Sequence, residues 1–409
     1  MSAVAPKRRL LIRLDPPVWR ILLHSLLFGL ALSVADLLFN FYLVSLGYDA
    51  AVAGLLSTVA RAAGMIMGLP IGLLIDRLGP QRAILIGLVV YALGWIALLF
   101  SSALGALITW QFVVGAAYLL AATAVTPLLT TITPDAQRAT VFGMNASATL
   151  MIGLLGSVVG GLLPGLAASF AQVAPQSTEA YRIALGSVVA LSIVALLPVL
   201  GALPALAEAR EGAAGMAAPV TRRLRKAHLV RFALPALLLG IGGGCILPFQ
   251  NLFFRQTFGM DDAAVGFTLA LAAVGSGVGA LLGAPLTARI GLKRGAALLR
   301  LGAVPAMLLM LTPFVWSATL GFFLRGLFIA ASYPMNDALV MRATPAVQRG
   351  AAMSLMAVFW SGGWAASAAL AGWAKVQFGY GPIFIVAAVT YVASAILIFT
   401  LPISDEDAR

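Results

Sequence analysis

Charge is what this sequence has least of. Only 10% of its 409 residues are charged, while 61% are hydrophobic. A typical soluble domain carries about 25% charged residues. No water-soluble fold could hide so much apolar surface, so the expected solvent is lipid. Acids are scarcer than bases, with 14 Asp and Glu against 26 Lys and Arg, a net charge of +12. The single cysteine, Cys245, lies in an apolar run and excludes an intrachain disulfide; it reads as a small core residue. Two histidines, His24 and His228, make no metal-ligand cluster. No nucleotide-binding motif is present, which excludes ATP as the driving force. No nucleophile–base or metal constellation is present either, so an enzyme is not expected, and no cofactor.

What is present is a series of apolar runs without strict alternation. In lipid every backbone polar group must be satisfied internally, which leaves helices or closed barrels. Runs of this length are helices, because barrel strands are short and alternate. We place twelve spans at 18–45, 50–75, 83–101, 104–131, 141–168, 181–203, 231–257, 263–287, 295–315, 317–341, 350–374 and 381–402. A 25-residue helix is roughly 37 Å long and crosses a core of about 30 Å with some tilt. The first run follows Lys7, Arg8, Arg9 and Arg13 and resembles a secretory leader. It continues past Ala35 to about Ser45 and is read as the first span.

Twelve spans put both termini on one side. Of the 26 basic residues, Arg182, Arg255 and Lys375 fall in the opposite gaps, and Arg61 and Arg325 fall within spans. The remainder, Arg300 among them, are assigned to the terminal side. That asymmetry predicts cytoplasmic termini in the plasma membrane. It also accounts for the positive charge without nucleic acid. Residues 204–230 form the long polar interruption between two halves, 1–203 and 231–409. Its cluster Arg222-Arg223-Leu224-Arg225-Lys226 is placed to meet anionic lipid headgroups.

The halves repeat. Asp76-Arg77-Leu78-Gly79-Pro80-Gln81-Arg82 returns 212 residues later as Ala288-Arg289-Ile290-Gly291-Leu292-Lys293-Arg294. Thr133-Pro134 with Gln137-Arg138 returns 211 residues later as Thr344-Pro345 with Gln348-Arg349. Gly47, Asp49, Ala51 and Gly54 match Gly259, Asp261, Ala263 and Gly266, and Asn40 matches Asn251. Several motifs at one offset indicate a duplicated chain, the usual build of a secondary transporter.

On these residues the chain resembles the major facilitator superfamily. Gly72, Asp76, Arg77, Gly79 and Arg82 carry the likeness, matching a glycine, an Asp-Arg pair, a second glycine and a basic residue. The second copy keeps Arg289, Gly291 and Arg294 but has Ala288 for the acid. The resemblance implies an all-α membrane protein of twelve transmembrane helices in two pseudo-symmetric six-helix halves. It implies alternating access, with these loops latching the halves when the carrier is open outward. Two family patterns are incomplete here. Gln111 stands before Gly115 where span 4 often has arginine, and Gly160-Gly161 in span 5 lacks a preceding proline. Gly153, Gly156, Gly160 and Gly161 nonetheless provide small-residue spacing for close helix packing.

Ionisable residues inside the membrane cost about 2.5–3.5 kcal/mol on insertion scales, so each invites a functional reading. Asp36 in span 1 is expected to face the central cavity as a proton or cationic-substrate site. Asn40 lies one turn on, with Arg61 as the partner of Asp36. Arg325 and Asn336 share one stripe of span 10 and are expected to line the cavity, with Arg325 suited to an anionic group. Asp337, near the terminal side, is expected to pair with Arg289 or Arg294. Gln250 and Asn251 in span 7 are candidate contacts between the halves. Gln111, Tyr118, Asn145, Tyr333 and Trp360 are further cavity candidates, while Trp316, Trp364 and Trp373 read as interfacial or packing residues.

The leading expectation is a monomeric carrier of a small-molecule substrate, coupled to protons and exporting lipophilic or drug-like compounds. Proton-coupled uptake of a small metabolite is the alternative. A non-transporting sensor built on a carrier fold is the alternative from another class.

Overall fold

The computed structural model describes residues 14–201, 226–344 and 349–401. Every regular element among them is helical. They run α1 (Pro16–Ser45), α2 (Ala50–Leu78), α3 (Pro80–Leu99), α4 (Leu104–Ile132), α5 (Asp135–Ala171) and α6 (Thr178–Val194, prolonged by Leu196–Gly201). The second set is α7a (Lys226–Ile246), α7b (Gln250–Phe258), α8 (Asp262–Ile290), α9 (Leu292–Met310), α10 (Val315–Ala343), α11 (Arg349–Phe378) and α12 (Tyr380–Phe399). Each expected span is met by a helix. Most of the expected linker, including most of its basic cluster, lies outside the described residues.

Local chemistry sets the helix ends, and it repeats. Asp49 caps α2 by accepting from the amides of Ala51 and Val52, and Asp261 caps α8 by accepting from Ala264. Gly79 closes α2 at φ 82°, and its counterpart Gly291 closes α8 at φ 83°. Only glycine adopts that backbone without strain, so the short turns of the two motif loops are built alike. Arg138 and Arg349 each reach back eight residues, to the carbonyls of Thr130 and Met341. They satisfy the orphan carbonyls that end α4 and α10, a cation at the negative helix end.

Eleven of the helical stretches are long and apolar enough to cross a membrane. The exception is α9, which carries Lys293, Arg294 and Arg300 in 19 residues. Large apolar side chains such as Phe170, Phe100 and Trp316 stand at 89%, 80% and 76% exposure, a surface that only lipid would cover.

The packing obeys the repeat. In the first half α1 packs on α5 and α6, α4 on α2 and α3, and α3 on α6. Adding six to each helix number gives the contacts of the second half: α7a on α11 and α12, α10 on α8 and α9, and α9 on α12. The halves meet along α2 with α11 and along α5 with α8, and the same operation exchanges these two interfaces.

One span departs from expectation. Span 7 is not continuous; Leu247–Phe249 form a single 3₁₀ turn between α7a and α7b. Pro248 sits in that turn and donates no backbone hydrogen bond there, whereas α2 and α4 run unbroken through Pro70 and Pro127.

Candidate functional site

Close contacts hold the halves together at the end opposite the termini, here called the far side. Asn40 Nδ2 donates to the Pro248 carbonyl at 2.5 Å and to Asn251 Oδ1 at 3.0 Å. Asn251 Nδ2 returns a bond to the Leu37 carbonyl at 2.6 Å. The break in α7 frees the Pro248 carbonyl for this clamp. Deeper along α2 and α11, Thr58 donates to the Ala365 carbonyl and Trp364 Nε1 to the Ser57 hydroxyl.

A second latch was not legible in the sequence. Tyr181 of α6 donates its hydroxyl to Asp262 Oδ2 at 2.8 Å and accepts from Arg255 Nη1 at 2.7 Å. Arg255 pairs with Asp262 at 3.1 Å, and its guanidinium lies 4.4 Å from the Phe41 ring. Arg255 is therefore a bridge between halves rather than a residue of the far-side gap. Tyr181→Phe should shift the equilibrium toward far-side opening by about tenfold, the usual worth of a charge-assisted hydrogen bond. Distances between spin labels on the far side measure that shift; an unchanged distribution would remove Tyr181 from the latch.

Toward the terminal side the halves part. A methyl added at Gly68 or Gly72 of α2, Gly153 of α5 or Gly277 of α8 would meet no neighbour within 4 Å. The contacts between the halves named above all lie nearer the far side than these glycines.

Asp36 on α1 is exposed, although protein atoms are dense around it. Tyr118, 39% exposed, has the same character. Arg61 is within electrostatic reach of Asp36, but the two do not close to an ion pair. The Arg61 guanidinium instead stands 4.5 Å from the ring centre of Trp364 and 5.2 Å from that of Trp360. Both tryptophans belong to α11, so Arg61 bridges the halves by cation–π contact. Trp360 and Trp364 are contacts of the site, whereas Trp316 and Trp373 are exposed at the periphery.

In the second half, Arg325 is only 6% exposed and donates to the Tyr391 hydroxyl at 2.6 Å. Arg325 and Gln250 line one cavity of about 200 Å³, together with Ser157 of the first half and Ser276, Leu269 and Phe322 of the second. Asn336 does not accompany Arg325 in that role. It is buried and its Oδ1 accepts from Arg300 Nη2 at 3.0 Å.

Arg300 is the main correction to the sequence reading. It is not a loop residue on the terminal side but is 1% exposed within α9. Its guanidinium also donates to the Ser394 hydroxyl and the Pro235 carbonyl. Arg300 is the arginine within electrostatic reach of Asp337, a partner that the expected pairing with Arg289 or Arg294 did not include. Both loop arginines are exposed, as are Asp76, Arg77 and Arg82. Asp76 makes no ion pair among the described residues. Gln111 is half-buried and its Oε1 has no hydrogen-bond partner, as is true of Asn145 Oδ1. A Cβ at Gly115 would lie 2.6 Å from the Ala60 carbonyl, so that glycine serves the close packing of α4 on α2. Among the described residues no group of three His, Cys, Asp or Glu could hold a metal.

Two pseudo-symmetric helical halves in one apolar bundle are a build that membrane transporters share. The sequence model of the Major Facilitator Superfamily matches residues 21–239 and again 232–409. The chain belongs to that family, whose members are transporters and not enzymes. None of the curated proteins matches it in sequence.

Solved structures share its fold. A bacterial homologue of the human lysosomal transporter Spinster, inward-facing and unoccupied, aligns at TM-score 0.68 and 16% identity, covering 93% of this chain and 94% of that one. The nucleoside transporter NupG aligns at 0.75 and 14% identity, covering 93% and 98%. A D-xylose–proton symporter aligns at 0.74 and 14% identity, covering 95% and 99%.

Proposed function

We propose that this chain is a proton-coupled carrier that exports lipophilic, drug-like small molecules across the plasma membrane. It acts as a monomer among lipids, with both termini cytoplasmic, and the halves 1–203 and 231–409 rock about the paired interfaces α2–α11 and α5–α8. The described state is then the inward-open one. The observation that carries the reading is Asp36, an exposed carboxylate of α1 with Arg61 in electrostatic reach and no ion pair between them. When ionised, Asp36 draws Arg61 toward α1. When it takes a proton, Arg61 rests on Trp360 and Trp364 of the other half. Protonation thus changes a contact between halves, which is what coupling requires. Gln111 and Tyr118 extend the same wall of the cavity. In the outward-open state, the loops carrying Gly72, Asp76, Arg77, Gly79 and Arg82, and Arg289, Gly291 and Arg294, come together as the inner latch.

Uptake of a small polar metabolite is the second reading. It is favoured by the polar groups Gln250, Ser276 and Arg325 in one cavity, and by the nucleoside and xylose carriers among the structural neighbours.

The test is purified protein in liposomes loaded with a pH-sensitive dye and given a panel of lipophilic compounds. Compound-dependent proton movement against the compound's flux is the expected result. Proton movement in the same direction as the compound would support uptake. Ligand-induced thermal stabilisation without any flux would indicate a sensor.

A further inference from the structure

The three membrane-embedded arginines of this fold are not compensated alike. Arg61 has Asp36 within reach and two tryptophan faces. Arg300 has Asp337 within reach and three oxygen acceptors, from Asn336, Ser394 and Pro235. Arg325 has the Tyr391 hydroxyl and ring face, its Nε like that of Arg300 has no partner, and among the described residues none of the three arginines has a carboxylate within ion-pair distance. A guanidinium stays charged under all physiological conditions, and burying one without a counter-charge is expensive. This one lines a cavity.

We infer that the Arg325 cavity is a subsite for a small organic anion with an apolar body, such as an aryl carboxylate. The inference rests on the carrier reading and specifies the class of substrate. Arg325 supplies the positive charge, through a planar fork that suits a carboxylate. Gln250 and Ser276 supply neutral donors beside it. Phe322 and Leu269 form an apolar wall for the body of the ligand. The cavity, at about 200 Å³, has room for a group the size of benzoate. Ser157 comes from α5 of the first half and the other five residues named come from the second, so the occupant touches both moving parts. A bound anion would neutralise the uncompensated charge and tie α5 to α8 and α10 at once.

The experiment uses the full chain in phosphatidylcholine nanodiscs, titrated calorimetrically with benzoate and with benzamide, which match in shape and differ in charge. Benzoate should bind at least about tenfold more tightly than benzamide, the lower range for a hydrogen bond to a charged group. Arg325→Gln should erase the preference, Arg325→Lys should keep part of it, and Gln250→Leu should weaken benzoate several-fold. If Arg325→Gln does not fold, the other two variants decide. No benzoate binding, equal binding of the two probes, or a preference that survives these substitutions overturns the subsite. Gly186→Val, where a Cβ meets nothing within 4 Å, should leave the benzoate preference intact. Failure of proton coupling with intact benzoate binding counts against the coupling alone, and the converse counts against the subsite alone.

Discussion

Asp36→Asn should reduce substrate-driven proton movement by about a hundredfold or more, the lower range for removing one positioned proton-transfer group. Asparagine keeps the size and polarity of the side chain but cannot exchange a proton. Nothing else on the first half offers a carboxylate at this depth, among the described residues. Exchange of labelled substrate for unlabelled substrate should continue, because that cycle needs no net proton transfer. Asp36→Glu should retain part of the coupling, with the carboxylate displaced by one methylene. The measurement is dye-reported proton flux beside substrate counterflow in the same proteoliposomes. Proton flux at the wild-type rate in Asp36→Asn would remove Asp36 as the coupling site. Loss of counterflow as well would show that Asp36 binds substrate rather than protons alone.

Valine at Gly54 or Gly266 should prevent the far side from closing. A Cβ at Gly54 would stand 2.3 Å from the Ala368 carbonyl across the α2–α11 interface. A Cβ at Gly266 would stand 2.4 Å from the Ser157 carbonyl across α8–α5. Both obstacles are backbone, which cannot rotate aside as a side chain could. Overpacking of this kind costs about 1–3 kcal/mol, which moves a two-state equilibrium by about five- to 150-fold. The cost falls only on the state in which these helices touch, so the population moves toward far-side opening. Spin labels at the exposed positions Ser102 and Phe314, in a Cys245→Ser background, should report longer distances, and transport should fall in proportion. Gly186→Val is the control, since a Cβ there meets nothing within 4 Å. Wild-type distances in the Gly54 and Gly266 variants would show that the far-side contact is not limiting.

Arg300 stands a few residues after Lys293 and Arg294, inside the ninth expected span yet counted with the bases of the terminal side. Its acceptors come from Pro235, Asn336 and Ser394, which are 36 to 94 residues away. No local pattern announces such a convergence. Asp262 looks like a spare acid beside the capping Asp261, and Tyr181, which donates to it, is 81 residues distant. Asn336 and Arg325 do share a helical stripe, but an arginine from a neighbouring helix claims the asparagine. The break in α7 falls at Pro248 and still passed for a continuous span, because hydropathy does not register a single turn of 3₁₀ helix and prolines elsewhere leave their helices unbroken.

The elements and the repeat follow from local chemistry. Run length in lipid dictates helices, capping aspartates and positive-φ glycines dictate where they end, and both are short-range effects written within a few residues. Duplication then required two halves packed by one rule. The tertiary structure decided which polar side chains meet. It placed Asn40 against Asn251, Arg61 over Trp360 and Trp364, and Arg300 against Asn336 and Ser394, and left Arg325 at a cavity lined, among the described residues, by no carboxylate. These choices depend on helix rotation and on contacts between residues far apart in the chain. In a low-dielectric interior they carry large energies, and hydropathy and spacing are blind to them.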